Sequence, residues 1–355
     1  MKIDIIIPVA KSGGVENCIN ILCGELMSLG HEIRVIQLIT EGDKWTKENV
    51  KFYELTYGKV GHDTDELASA YKSFLDNHGI CDVAIATNWP LCVYIVKSAI
   101  DKLSINIPVV SWLHNPVERY IDAGYGGYEC LELADAHLAI SNYIYNQINN
   151  NIKNGRIYRV NNPIDKLCHV SLKIDNKKIN NKIGFVGRIT PVKGLDIILK
   201  SMSFISSKWK LEVFGEFDSD EYKIYVKKLI TELRLENRVT FHGWISCPWA
   251  FFSDIDLLCM PSIYEGFPLT ALEALSNGIP IIATPVSGIT ELIEEGKNGY
   301  LVPQQDYKAI ANLLNGIESK LIRIPQAYEY ISILNEYKSD IVAKGFERAL
   351  NNITR

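Results

Sequence analysis

Residues 2–39 read KIDIIIPVAKSGGVENCINILCGELMSLGHEIRVIQLI. The apolar run over 2–10 has the composition of a strand buried on both faces, and Lys-Ser-Gly-Gly closes it. Ile19, Leu22, Leu26 and Leu29 then recur every three or four residues, which predicts a helix over 15–29 that Gly30 stops. A second strand follows over 32–39. Buried strand, amphipathic helix, buried strand is the repeating unit of a parallel sheet with crossover helices.

Outward from this stretch the alternation continues. Strands are predicted over 82–87, 109–114 and 136–141, with a helix over 91–103. Around Val160-Asn161-Asn162-Pro163 the pattern yields to a polar stretch rich in Lys and Asn that reaches Lys182, the best linker candidate. Strands then resume over 183–186, 209–214, 239–242, 255–260 and 280–284, with helices over 195–202, 221–233 and 271–276. The expected architecture is α/β: a doubly wound Rossmann-like domain over 1–163, a second over 164–326, and a helical tail over 327–355. Two such domains facing each other would leave a cleft lined by the carboxyl ends of both sheets, where ligands of open α/β sheets bind.

The chain has 355 residues, 47% of them hydrophobic and 22% charged, which is globular composition and about two domains' worth of chain. Against 37 basic residues stand 42 acidic ones, a net charge of −5; 15 basic and 20 acidic residues fall before position 171, leaving 22 of each beyond it. Neither part has the basic excess that phosphate-backbone binding requires, so nucleic acid is not an expected partner. The same balance limits membrane contact to a weak peripheral one. The longest apolar runs fall far short of the roughly 20 residues of a spanning helix, and the opening Met1-Lys2-Ile3-Asp4 places an acid directly before the three isoleucines, which is wrong for a signal peptide. The eight cysteines (18, 23, 81, 92, 130, 168, 247 and 259) form no Cys-x-x-Cys pair and read as reduced, mostly buried thiols of a cytoplasmic protein.

Four groups of residues carry candidate chemistry. In Ser262-Ile263-Tyr264-Glu265-Gly266-Phe267-Pro268-Leu269-Thr270-Ala271-Leu272-Glu273, a strand runs through Pro261 into a polar loop and a helix opens near Leu269. Glu265 then sits at a strand end and Glu273 about one turn into the helix. The backbone N–H groups from Gly266 through Phe267, Leu269 and Thr270 suit an anion such as diphosphate at the helix start, with Pro268 shaping the turn. A carboxylate is a natural acceptor for paired sugar hydroxyls. Two isolated glutamates would ordinarily be a loop acid and a surface helix acid; the Gly-Phe-Pro and the strand–loop–helix setting shift that balance. Directly after the strand over 183–186, Gly187-Arg188-Ile189-Thr190-Pro191-Val192-Lys193-Gly194 supplies two cations that could neutralise a diphosphate leaving group. Ser12-Gly13-Gly14-Val15-Glu16 allows close backbone approach at a helix start, but it is not Gly-x-Gly-x-x-Gly, so the nicotinamide-dinucleotide fingerprint is missing. His114 ends an apolar run and would stand at the carboxyl edge of the first sheet, where an imidazole could orient a sugar hydroxyl.

Asp63 and Asp65, Asp218 and Asp220, and Asp254 and Asp256 each match Asp-x-Asp, but the last pair opens a strand at the end away from the expected cleft and the other two lie in loops with no neighbouring ligand pattern, so no metal or cofactor is expected. Gly-x-Ser-x-Gly and Walker motifs are missing.

In combination these motifs resemble the family 4 glycosyltransferases of the GT-B fold. The resemblance covers most of the chain. It is strongest from Gly187 to Val302, where Gly-Arg…Lys-Gly, the glutamates 265 and 273, and Ala-Thr-Pro-Val-Ser-Gly-Ile-Thr-Glu-Leu-Ile…Gly-Lys-Asn-Gly-Tyr-Leu-Val stand in family order. Ser-Trp-x-His (111–114), Ala-Asp-x-His-Leu-Ala-Ile-Ser (134–141), Gly-Trp-x-Ser-x-Pro-Trp (243–249) and Glu-Gly-Phe-Pro-x-Thr (265–270) are similar to the lipopolysaccharide-core α-1,6-galactosyltransferases within that family.

The resemblance implies a UDP-linked sugar donor held mainly by the second domain and a glycan or glycolipid acceptor on the side of the first. It implies that Arg188 and Lys193 hold the diphosphate and Glu273 the ribose. Glu265 and the backbone of residues 266–269 would hold the sugar, and the loop at Trp244-Ile245 would meet the base. Gly13 and Gly14 would approach the donor from the first domain, and His114 would contact the sugar near its anomeric carbon. Transfer with retention of configuration, without a metal, is expected, with the final helix returning to the first domain. The expected product is a hexosylated cell-surface glycan precursor, such as lipopolysaccharide or another polysaccharide, with galactose the first choice of sugar. The site would be cytoplasmic, peripheral at the inner face of the membrane if it docks there. A UDP-sugar 2-epimerase of the same fold and a non-catalytic nucleotide-sugar-binding subunit are the alternatives. The first domain lacks the basic patch that relatives acting on lipid acceptors often carry.

Overall fold

A computed structural model describes residues 1–10, 13–40, 45–47, 49–57, 63–164 and 179–355. Most of the expected linker, with Ser12 and Cys168, lies outside the described residues. The chain divides into two compact units, one of Met1–Ile164 with Glu336–Arg355, the other of Asp165–Asn335.

In the first unit the elements run β1 (Lys2–Ile7), α1 (Gly14–Ser28), β2 (Glu32–Thr40), β3 (Lys51–Tyr57), α2 (Thr64–His78), β4 (Val83–Thr87), α3 (Pro90–Leu103) and β5 (Val109–Leu113). Then come α4 (Val117–Asp122), α5 (Tyr128–Leu131), β6 (Ala136–Ala139), α6 (Asn142–Asn151) and β7 (Arg156–Arg159). The described strands form one parallel sheet in the order β3-β2-β1-β4-β5-β6-β7. Ile3, Ile5, Ile6 and Ile7 are wholly buried, as a central strand covered on both faces requires. One acid interrupts that run. Asp4 is fully buried, and its carboxylate takes a bidentate pair from Arg34 (2.6 and 2.7 Å) and the Tyr71 hydroxyl at 2.8 Å. A buried charge so fully partnered is tolerated; an unpartnered one would not be.

The second unit repeats the plan with β8 (Lys182–Val186), α7 (Leu195–Met202), β9 (Lys210–Phe214), α8 (Asp220–Glu232), β10 (Val239–Gly243), β11 (Leu257–Met260) and α9 (Leu269–Ser276). β12 (Ile281–Ala283), α10 (Ile289–Leu292), β13 (Gly299–Leu301) and α11 (Tyr307–Glu318) follow. Its parallel sheet has the order β10-β9-β8-β11-β12-β13. One core face gathers Ile183, Leu199, Trp209, Leu211, Val213, Leu257 and Leu314. Both sheets are doubly wound, with the order reversing beside the first strand of each unit.

Most boundaries shift by a residue or two from expectation, and two of the differences have a visible cause. The strand predicted from 255 begins at Leu257, because Pro248–Asp254 forms a 3-10 turn whose Trp249 and Phe252 are buried. The tail predicted as helix from 327 opens instead with 3-10 turns (Ala327–Glu329 and Ile331–Tyr337); residues 327–335 stay with the second unit. Only α12 (Ser339–Ile353) is α-helical. Its apolar stripe of Val342, Phe346, Ala349 and Leu350 is buried in the first unit, where Phe346 meets Trp112 edge-on and the Ser339 hydroxyl donates to Glu25 of α1.

Candidate functional site

Ligands of doubly wound sheets bind outside the carboxyl ends of the strands where the order reverses. In the second unit that point lies between β8 and β11. The loop after β8 carries Arg188 and Lys193, and the loop after β11 carries Glu265 and leads into α9.

Glycine packing holds these loops together. Gly194 has φ 71°, and a Cβ there would overlap the Pro261 carbonyl oxygen. The Ile263 N–H donates to the Val192 carbonyl at 2.8 Å. One strand over, Gly215 has φ 143°, and a Cβ on it would overlap the carbonyl oxygen of Gly187, so the turn bearing Arg188 lies against the end of β9. Both positions need a residue without a Cβ.

The loops bring two predicted residues into direct contact. Lys193 Nζ lies 2.6 Å from Glu265 Oε1, and the Ser262 hydroxyl donates to the same oxygen at 2.8 Å. Glu265 is buried and Lys193 half-buried. Ser262 is itself fixed, since its carbonyl accepts from the Thr284 hydroxyl. Arg188 is exposed and pairs with no carboxylate among the described residues. Gly266 is anchored through its carbonyl, which accepts from the Ser287 hydroxyl at 2.8 Å and the Gly288 N–H at 3.2 Å. Phe267 is buried, and its ring lies so close to Gly288 that a Cβ there would overlap it. Pro268 caps α9 without a side-chain hydrogen bond, so the N–H groups of Leu269 and Thr270 open the helix with no i−4 carbonyl to bond. An N-terminus in that state attracts an anion. Glu273, further along α9, accepts from the Trp249 indole at 3.1 Å.

The remaining predicted residues stand elsewhere. Trp244 is largely exposed just beyond β10, and Ile245 beside it is half-buried. In the first unit, Gly13 is the N-cap of α1, the helix that follows β1 in the chain, with Gly14 the first residue of that helix. His114 follows β5, buried, with its ring 4.5 Å from that of Trp112. Its Nε2 is buried without a hydrogen-bond partner, and burial pushes its pKa down to about 3. The imidazole is therefore neutral at physiological pH, and it can offer one ring nitrogen to a ligand hydroxyl without supplying a positive charge.

The Asp-x-Asp pairs serve local structure. Lys182 binds Asp254 at 2.6 Å, and Asp256 accepts the N–H groups of Asn180 and Lys182. Asp63 caps α2, and Ser219 between the other pair caps α8. No cluster of three or more metal-ligating side chains occurs among the described residues, and none of their helices is long and apolar enough to cross a membrane. Ser262 and Trp249 hold the two glutamates yet have no role in the sequence reading. The Gly-Trp-x-Ser-x-Pro-Trp segment contained the signal for Trp249, but only the folded 3-10 turn shows which carboxylate it meets.

The glycosyltransferase family 4 model matches residues 12–166, and the group 1 glycosyl transferase model matches residues 171–327. Together the two models span most of the chain, which belongs to glycosyltransferase family 4 and has the GT-B fold. Among particular proteins, it is similar to the lipopolysaccharide 1,6-galactosyltransferase of Escherichia coli K12, 32% identical over 243 residues; the match covers 66% of this chain and 65% of that one, just under two thirds of the relative. Among solved structures it is similar to the lipopolysaccharide outer core galactosyltransferase WaaB in its apo form (TM-score 0.81, 23% identity, 99% of both chains). It is also similar to Anabaena HepE in complex with UDP-glucose (TM-score 0.82, 20% identity, 99% of this chain and 100% of that one). At these identities the two structures establish the fold.

Proposed function

We propose that this protein transfers a hexose from a UDP-sugar to a cell-surface glycan precursor, lipopolysaccharide or another polysaccharide, with retention of configuration and without a metal ion. The observation that carries the reading is the convergence, at the order reversal of the second sheet, of Lys193, Glu265, the uncapped start of α9 and Glu273. Galactose is the first choice of sugar, by similarity to the Escherichia coli relative.

In this reading Arg188, Lys193 and the N–H groups at the start of α9 bind the donor diphosphate. Glu273 accepts the ribose hydroxyls, and Glu265 with the backbone of residues 266–269 accepts and orients the sugar. Trp244 and Ile245 border the base, Gly13 and Gly14 are assigned to backbone contact with the donor, and His114 orients a sugar hydroxyl. The bond from the anomeric carbon to the β-phosphate oxygen breaks while the acceptor oxygen bonds to that carbon from the same face. The acceptor proton passes to the departing phosphate oxygen. Negative charge grows on the diphosphate as the bond breaks, so cations and amides fixed beforehand stabilise the transition state more than the bound donor. No protein nucleophile is required. The acceptor is a glycan or glycolipid, met at the inner face of the membrane when it is lipid-linked.

Thermal-shift screening with UDP-galactose, UDP-glucose, UDP-N-acetylglucosamine and GDP-mannose, followed by transfer assays with lipopolysaccharide cores in EDTA, tests the proposal. Stabilisation by one UDP-sugar, with an α-linked product formed in EDTA, is expected. Selective stabilisation by GDP-mannose, an inverted product or loss of transfer in EDTA would contradict it.

A further inference from the structure

The bond between Trp249 and Glu273 has a use that packing alone does not require. Trp249 is 2% exposed, and its indole nitrogen can only donate. That one donor is given to Glu273 Oε2 at 3.1 Å. The ring rests against Phe252 (centroids 5.0 Å apart), and Phe252 in turn lies over Gly184 of β8, where a Cβ would come within 2.5 Å of its ring. The 3-10 turn carrying Trp249 is thus seated on the central strand of the sheet. Glu273 is also held through its main chain, whose carbonyl accepts from Asn277 Nδ2 and the Ser276 hydroxyl at 2.8 Å each. The backbone of Glu273 is thus anchored in α9, and its carboxylate is held by the indole.

Resting on the donor site proposed above, we infer that Trp249 is a positioning residue that sets the plane of the Glu273 carboxylate for a vicinal diol, and so selects ribonucleotides over deoxyribonucleotides. Two adjacent hydroxyls need two acceptor lone pairs at fixed separation and orientation. A carboxylate free to rotate offers that geometry only part of the time, and the binding free energy is reduced by the cost of ordering it. The indole N–H pins one oxygen and leaves the carboxylate an acceptor. A hydroxyl or amide in its place could accept as well as donate, and would not enforce that polarity.

The test is calorimetric titration of the full chain with UDP, 2′-deoxy-UDP and 3′-deoxy-UDP, on wild type and Trp249→Phe. Wild type should prefer UDP to either deoxy analogue by about tenfold or more, the scale of a hydrogen bond to a charged acceptor. In Trp249→Phe most of that ratio should vanish, mainly through weaker UDP binding, with affinity for the analogues little changed. A purely structural role for Trp249 would weaken all three ligands alike. An unchanged ratio in the variant overturns the inference while leaving the donor site standing. Equal wild-type affinity for all three ligands overturns the ribose role of Glu273 and this inference with it, and no wild-type affinity for UDP overturns the proposed function itself. Should Trp249→Phe not melt cooperatively, the Trp249 indole resonance of the wild-type protein serves instead. UDP should shift it more than 2′-deoxy-UDP does, and equal shifts would overturn the inference.

Discussion

Lys193 Nζ and Glu265 Oε1 stand 2.6 Å apart, although 72 residues separate them in the chain. The cation assigned to the diphosphate and the carboxylate assigned to the sugar are held as one ion pair.

Lys193→Ala and Arg188→Ala should each lower transfer by about a hundredfold or more, since both remove charge stabilisation of a leaving group. Arg188 is exposed, and its loss should leave the thermal midpoint unchanged. Lys193→Ala strips a partner from the buried Glu265 and should cost about 1–3 kcal/mol of stability. Steady-state kinetics and thermal melts on the same preparations check both, and full activity in either variant would contradict the assignment.

Ser262→Ala removes the second donor to Glu265 Oε1. The carboxylate stays but is less well oriented, so kcat should fall about tenfold with KM for the donor little altered. A variant with raised KM and normal kcat would show that Ser262 serves donor binding instead.

Gly194 and Gly296 share φ 71°, but a Cβ on Gly194 would overlap the Pro261 carbonyl while one on Gly296 meets nothing within 4 Å. Gly296→Ala should cost about 1 kcal/mol from backbone strain alone. Gly194→Ala should cost about 2–4 kcal/mol and also reduce activity, because the loop holding Lys193 must move. Urea denaturation of the pair checks this, and equal costs would refute it.

Burial lowers the pKa of His114 to about 3 and that of His137 to about 4, both below the ordinary value of 6.5. The unfolded chain therefore binds more protons than the folded one below about pH 6.5, and each imidazole contributes stability that is present above that pH and lost as pH falls toward the folded value. The loss should approach about 1.4 kcal/mol per pH unit for each histidine. Unfolding between pH 7.5 and 5 should show this decline, and His137→Gln should flatten it; an unchanged slope would place the titration elsewhere.

The doubly wound plan was legible because its central strands are nearly unbroken apolar runs and its helices carry clear stripes. The predicted helix over 195–202 coincides with α7, where Gly194 precedes a strong apolar stripe. β3 was not legible: its inner positions are all half-buried at a sheet edge, so neither alternation nor a buried run marks it. β13 has only three residues. The residue types at the site could be read from Gly-Arg…Lys-Gly and the two glutamates. Their pairing could not, since the Lys193–Glu265 and Trp249–Glu273 contacts depend on loops closed by Gly194 and on a 3-10 turn seated over Gly184. The neutral state of His114 likewise follows from burial that one sequence does not reveal.

A crystal structure with UDP tests the central claim most directly. The diphosphate should lie within hydrogen-bonding distance of Lys193 Nζ and the N–H groups of Leu269 and Thr270, with the ribose on Glu273. UDP seated away from the loops that follow β8 and β11 would contradict it.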